Sequence, residues 1–134
     1  METDLPLTGL RILVVDDNDD SCCYITAVLE LEGASVKAVP SAALALEILP
    51  HFNPDALICD IAMPGEDGYT FIRKVRLLSA NEGGQVPAVA LTAYADSEDR
   101  VHALEAGFQR HIAKPVEPSE LVEIIANLVT FSKC

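Results

Sequence analysis

The 134-residue sequence has few basic residues and no long hydrophobic run. Nine lysines and arginines stand against 21 aspartates and glutamates, which gives a net charge of −12. Phosphate backbones and anionic lipid surfaces repel so acidic a chain, so we expect it to bind no nucleic acid. No apolar stretch approaches the length of a membrane span, and the first residues lack the basic and apolar regions of a secretory signal. We therefore expect a cytoplasmic protein with no membrane insertion.

The four cysteines do not have the spacing of a disulfide framework. Cys22 and Cys23 are adjacent, Cys59 lies in an apolar run, and Cys134 ends the sequence, so there is no CxxC motif either. We expect reduced thiols, with packing as the role of the first three. The three histidines are scattered and match no zinc-ligand spacing.

Half of the residues are hydrophobic, which is enough for one substantial core. Short apolar runs rich in Val, Ile and Leu alternate with helical patterns, and the runs predict strands at residues 10–15, 34–39, 55–60, 87–92 and 108–113. Ser21 is expected to cap the first helix and Ser41 the second, which should stop at Pro50. Five strand–helix units in this order predict an α/β fold, a doubly wound parallel sheet with right-handed crossovers and helices on both faces.

Polar side chains follow four of the predicted strands. Asp16 and Asp17 follow the first strand, whereas Asp60, Thr92 and Lys114 end or follow the third, fourth and fifth. Each alone is typical of a turn, a cap or a solvent-exposed position. Together they fall at the carboxyl edge of the sheet, where ligands bind in open parallel sheets.

The predicted acidic cluster is costly without a cation. Two carboxylates about 4 Å apart repel by roughly 4 kcal/mol at an effective dielectric of 20. Mg²⁺ is a hard ion that accepts one or two carboxylates together with waters and phosphoryl oxygens. Cys59 adjoins Asp60 but should point to the opposite face of its strand, so it is not expected to be a ligand.

Four motifs, VVDD, DIAMPGEDGY, ALTAYA and AKP, resemble in this order the receiver domain of bacterial two-component signalling. The resemblance covers residues 10–130, with residues 1–9 as an N-terminal extension or linker end and 131–134 as a tail. It implies a flavodoxin-like sheet of order 2-1-3-4-5 with five flanking helices. The segments LTGLRILVVDDN and AVALTAYADSEDR are similar to receivers of hybrid histidine kinases.

By this resemblance, Asp60 is the phosphoacceptor in a phosphorelay. Asp16 and Asp17 would hold Mg²⁺ with Asp60 and the carbonyl of Ala62. An ionised carboxylate needs no base to act as a nucleophile, which suits transfer from a phosphohistidine. The implied donor is a histidine kinase or a histidine phosphotransfer domain, and the implied catalysis is limited to the domain's own phosphorylation and dephosphorylation.

The resemblance also implies a conformational switch. Thr92 and Lys114 would contact the phosphoryl oxygens, and Thr92 would act with His111, which occupies the position of a strand-five aromatic residue. Lys114 and Pro115 would be joined by a cis peptide bond, and Tyr94 would flank the pocket.

No DNA-binding element follows the last predicted helix, so we expect the signal to pass to a protein partner, whose identity the sequence does not give. Tyr24 and Val116 are candidates for a docking surface, although either residue is equally suited to the core.

Three other functions remain open. A magnesium-dependent aspartyl-phosphate hydrolase usually has a DxD spacing and a cap domain, whereas here the first acidic pair is adjacent. A degenerate receiver would serve only as a binding module. A nucleotide-binding domain is disfavoured because neither GxGxxG nor a P-loop follows a strand.

Overall fold

The computed structural model describes residues 5–63, 65–92 and 97–132. Five parallel strands form one sheet in the order β2-β1-β3-β4-β5, which confirms the predicted fold. The strands are β1 Arg11–Val15, β2 Ser35–Val39, β3 Ala56–Asp60, β4 Ala88–Thr92 and β5 Arg110–Ala113. The helices are α1 Asp19–Leu31, α2 Ala42–Phe52, α3 Gly68–Arg76, α4 Ser97–Ala106 and α5 Pro118–Ser132, with a short 3₁₀ helix at Ala80–Glu82.

The sheet separates two hydrophobic clusters. One lies under α2, α3 and α4 and includes Leu13, Leu57 and Phe71. The other lies under α1 and α5 and includes Ile12 and Ile58. Neighbouring residues of β1 and β3 therefore point to opposite clusters, as expected for strands buried on both faces.

Two helix ends differ from the sequence prediction. Asn18, and not Ser21, caps α1, because its side chain accepts a hydrogen bond from the backbone N–H of Ser21. Helix α2 continues past Pro50 to Phe52, since a bond from the N–H of Asn53 to the carbonyl of Leu49 closes the last turn. The predicted cap at Ser41 is confirmed.

The segment before β1 packs on the domain. Leu7 is fully buried in the cluster under α1 and α5, and its N–H donates to the carbonyl of Glu32 at 2.9 Å. Gly33 has φ +101°, and a Cβ on it would lie 2.7 Å from the hydroxyl oxygen of Thr8. A glycine is therefore required where this segment crosses the end of α1.

Candidate functional site

The carboxyl ends of the strands bring the predicted polar residues together. Asp16, Asp60 and Thr92 are buried, with exposures of 1%, 6% and 5%, whereas Asp17 is exposed. One carboxylate oxygen from each of Asp16, Asp17 and Asp60 lies within 4.8 Å of the other two. The parallel sheet produces this cluster, because all its strands end at the same edge.

Backbone and side-chain contacts fix the position of Asp16. Its N–H continues the β1–β2 ladder by donating to the carbonyl of Val39 at 3.2 Å, and its Oδ1 accepts from the N–H of Asn18 at 2.9 Å. Its own carbonyl accepts from the thiol of Cys22 at 3.0 Å. Burial, assisted by the charge of Asp16, raises the pKa of that thiol to about 11, so Cys22 stays protonated as a donor.

The β3–α3 turn holds Asp60 against the first turn of α3. A Cβ on Gly68 would lie 2.9 Å from the carbonyl oxygen of Asp60 and from the Cα of Ile61, so this close approach requires glycine. Asp67 caps α3 by accepting from the N–H of Thr70. The two contacts place the helix directly beside the end of β3.

The charge of Asp60 is unfavourable in this setting. Burial raises the pKa of its carboxyl group, and repulsion from Asp16 raises it further. The Lys114 ammonium and a hydrogen bond from the backbone N–H of Ala62 lower the pKa, but the net direction is upward. The fold therefore holds a carboxylate where its negative charge is only partly compensated.

Lys114 supplies the positive charge of the cluster. Its Nζ lies 3.4 Å from Oδ2 of Asp16 and 3.5 Å from Oδ1 of Asp60. Its N–H donates to the carbonyl of Thr92 at 2.7 Å, which ties the ends of β4 and β5 together. The peptide bond to Pro115 is cis, as the resemblance implied.

The donor set fits a hard divalent cation. Three carboxylate oxygens near one another offer three negative charges, of which one lysine balances a single unit. Magnesium prefers oxygen ligands and keeps several waters, and the exposure of Asp17 leaves one side of the cluster open to solvent. Cys59 is fully buried in the cluster under α2–α4, which agrees with its predicted packing role.

Comparison with known proteins identifies the family. The family described as the response regulator receiver domain matches residues 12–126. This chain belongs to that family.

Two curated relatives differ in how much of their own length this chain matches. An uncharacterized 14.6 kDa protein of Leptolyngbya boryana is 44% identical over 89% of this chain and 89% of its own length. The sensor histidine kinase TmoS of Ectopseudomonas mendocina is 36% identical over 90% of this chain but only 12% of its own length. The chain thus matches both a protein of its own size and a small part of a kinase.

A solved structure supports the same assignment. The receiver domain of sensor histidine kinase PA1611 from Pseudomonas aeruginosa PAO1, which has a magnesium ion coordinated in its active site cleft, superposes with a TM-score of 0.83. It is 33% identical, and the match covers 92% of this chain and 99% of that one. Within the described part of this receiver domain, no helix has the length and apolar character needed to cross a membrane.

Of the other residues that the sequence analysis named near the site, three lie in the described part of the chain and one does not. His111 is half-buried in β5, and its Nε2 is buried without a hydrogen-bond partner. Val116 is buried, and Tyr24 is 43% exposed. Tyr94 lies outside the described residues.

Two contacts near the site were not predicted from the sequence. The thiol of Cys22 supports Asp16, and the hydroxyl of Tyr24 donates to the carbonyl of Val116. The position of α1 over the sheet determines both contacts, and no spacing along the sequence reveals them.

Proposed function

We propose that this receiver domain accepts a phosphoryl group on Asp60 from a phosphohistidine of a histidine kinase or a histidine phosphotransfer domain. The observation that carries this proposal is the meeting of three carboxylates within 4.8 Å beside the ammonium of Lys114. Receiver domains generally use Mg²⁺ at such a site, and a relative of known structure holds magnesium in its active site cleft.

In the proposed transfer, an oxygen of the Asp60 carboxylate forms a bond to phosphorus as the phosphorus–nitrogen bond to the donor imidazole breaks. The imidazole leaves with the bonding electron pair and takes up a proton from solvent. Lys114 and the hydroxyl of Thr92 are placed at the same edge to contact the phosphoryl oxygens. Positioning and neutralisation of charge on these oxygens provide most of the catalysis in phosphoryl transfer.

The proposed metal ligands are Asp16, Asp17, Asp60 and the backbone carbonyl of Ala62. When bound, Mg²⁺ would neutralise the negative charge that the carboxylates and the phosphoryl group bring together. The chain's own residues orient the nucleophile, because the Ala62 N–H and Lys114 both contact the Asp60 carboxylate.

We also propose that the phosphoryl group changes the contacts of Thr92 and that His111 responds, so that the surface of α4, β5 and α5 passes the signal to a protein partner. The catalysis in this proposal is limited to the domain's own phosphorylation and dephosphorylation. A cytoplasmic location accompanies this function, because kinase and receiver must meet. The proposed extent of the domain is residues 10–130, preceded by residues 1–9 and followed by a tail at 131–134.

Intact-protein mass spectrometry tests the site assignment. The protein is incubated with Mg²⁺ and phosphoramidate, and we expect it to gain the mass of one phosphoryl group. Asp60→Asn should gain none, whereas Asp20→Asn, which changes an exposed acid in the first turn of α1, should be modified like the wild type. An undiminished mass gain in Asp60→Asn would refute the assignment. Steady turnover of a small phosphate ester would indicate the hydrolase instead.

A further inference from the structure

Helix α1 makes a side-chain contact with the loop that carries the site's lysine. The hydroxyl of Tyr24 donates to the backbone carbonyl of Val116 at 2.9 Å, across 92 positions of sequence. Val116 is buried and lies two residues after Lys114, whose ammonium contacts the carboxylates of Asp16 and Asp60. The tyrosine is therefore linked to the site through the β5–α5 loop.

The loop is held from two sides. On the sheet side, the N–H of Lys114 donates to the carbonyl of Thr92 at 2.7 Å. Pro115 has no backbone N–H, and the bond on the other side of the loop is made by Val116. Its carbonyl accepts from Tyr24 on the opposite side. A hydrogen bond therefore holds each end of residues 114–116. This limits how far the backbone that carries the Lys114 side chain can shift.

Packing holds the loop on one side, through Val116, which is buried in the cluster under α1 and α5. A cleft of about 470 Å³ opens between α1 and the loop, with Tyr24, Lys114 and Pro115 among its lining residues. A tightly packed loop would keep its position without a tether, because close-packed interiors resist displacement. Beside an open cleft, one directed hydrogen bond has a larger share in fixing the loop.

We propose that Tyr24 is a positioning residue for phosphoryl transfer: its hydroxyl anchors the β5–α5 loop to α1 and so holds the Lys114 ammonium between Asp16 and Asp60. This inference rests on the proposed function of the site. The tyrosine touches neither the phosphoacceptor nor the phosphoryl group, and it acts through Lys114. Its exposed ring is also suited to contact a donor protein, so the test uses a small donor that needs no docking.

Tyr24→Phe removes only the hydroxyl and keeps the ring. With phosphoramidate as donor and Mg²⁺ saturating, we expect the rate constant for phosphorylation of Asp60 to fall about fivefold, the factor that corresponds to one net hydrogen bond. The fall should persist at saturating donor concentration, because positioning of Lys114 affects the transfer step itself. Thr26→Val, which removes from the same helix, α1, a hydroxyl that has no hydrogen-bond partner among the described residues, should leave the rate constant unchanged.

A double-mutant cycle separates positioning from a general structural effect. If Tyr24 acts through Lys114, Tyr24→Phe should slow the wild type about fivefold and have no effect in a Lys114→Met background. An equal slowing in both backgrounds would overturn the proposal, as would a Tyr24→Phe rate equal to that of the wild type. Urea unfolding of the single variant verifies that it is folded at the assay temperature.

The same experiment distinguishes this proposal from the function on which it rests. If the wild-type protein gains no phosphoryl group on Asp60, the proposed function fails. If the wild type is phosphorylated and Tyr24→Phe reacts at the same rate, only the positioning role fails.

Discussion

Replacing Asp60 with asparagine should stabilise the metal-free protein. The substitution keeps the size and shape of the side chain and removes its negative charge. Asp60 is buried, and one of its oxygens lies within 4.8 Å of oxygens from two other carboxylates. The variant therefore removes two repulsions and one attraction, the one to Lys114.

The structure gives the size of this effect. At 4.8 Å and an effective dielectric of about 20, each repulsion is about 3.5 kcal/mol, and the attraction to Lys114 at 3.5 Å is about 4.7 kcal/mol. Burial of the charge, the largest cause of the raised pKa of Asp60, adds to the repulsions, and together they outweigh the single attraction. Because Asp17 is exposed and Lys114 is partly exposed to water, the difference must be discounted. We expect Asp60→Asn to raise the free energy of unfolding by about 1 to 2 kcal/mol at pH 7 without metal.

Urea unfolding followed by circular dichroism, in EDTA and in Mg²⁺, measures the effect. At a magnesium concentration about 100 times its dissociation constant, the wild type should gain about 2.7 kcal/mol. Asp60→Asn lacks one of the three carboxylates and should gain less, so the difference in stability should shrink or reverse. Glu47→Gln, which neutralises an exposed acid in the middle of α2, is the matched control and should show neither effect. A less stable Asp60→Asn in EDTA, or equal stabilisation of both proteins by Mg²⁺, would refute this electrostatic reasoning.

The difference in free energy of unfolding between Asp60→Asn and the wild type should also depend on pH. The pKa of Asp60 is raised in the folded protein, so its protonated form is favoured by folding. That contribution is fully present below the unfolded pKa of about 3.9 and is lost as the pH rises through the folded pKa. In EDTA, the advantage of Asp60→Asn should therefore be small near pH 4 and should widen toward neutral pH.

Three further predictions concern the structure around the site. Leu7→Ala should lower the free energy of unfolding by about 2 to 5 kcal/mol in urea unfolding, because it empties a fully buried position. Leu5→Ala, at a half-exposed position, should lower the free energy of unfolding much less. Equal losses for the two variants would contradict the conclusion that Leu7 anchors the segment before β1. Arg76→Met should lower the free energy of unfolding by about 3 kcal/mol, because it leaves three backbone carbonyls without their donor. Arg73→Met, at an exposed position of the same helix, should leave the free energy of unfolding nearly unchanged. Gly68→Ala should slow phosphorylation of Asp60 by shifting the end of β3, and an unchanged rate would show that α3 yields instead.

Local sequence rules predicted the sheet and the place of the acidic cluster. Apolar runs and helical periods are local, so they predicted a parallel sheet with right-handed crossovers, whereas the strand order was implied by the receiver resemblance. Once the strands are known, Asp16 and Asp60 must lie at the same edge because each lies at the carboxyl end of its strand. The closeness of these residues was therefore implied by the topology, although the distances between their oxygens were not.

Features that depend on how elements pack could not be predicted in this way. Asn18 and Ser21 are both good caps three residues apart, and only the path of the chain after Asp17 selects Asn18. The contact from Tyr24 to Val116 joins segments 92 residues apart, so it depends on where α1 lies over the sheet. Burial of Leu7 likewise follows from the end of α1, where Gly33 leaves space for the segment to cross.

The residues that destabilise the metal-free fold are the same ones that favour cation binding. Asp16 is held in place by hydrogen bonds to its carboxylate and its carbonyl, and Asp60 by the β3–α3 turn, so neither can move away from the other without losing these contacts. The repulsion between the two carboxylates is therefore retained in the folded state. A cation that removes this repulsion binds more tightly by the free energy that the repulsion had cost. Lys114 relieves only part of the repulsion, because its one ammonium contacts both carboxylates while its loop is anchored to Thr92 and Tyr24. A fixed acidic pair and an anchored lysine therefore leave part of the negative charge uncompensated, and we expect a bound cation to be what compensates it.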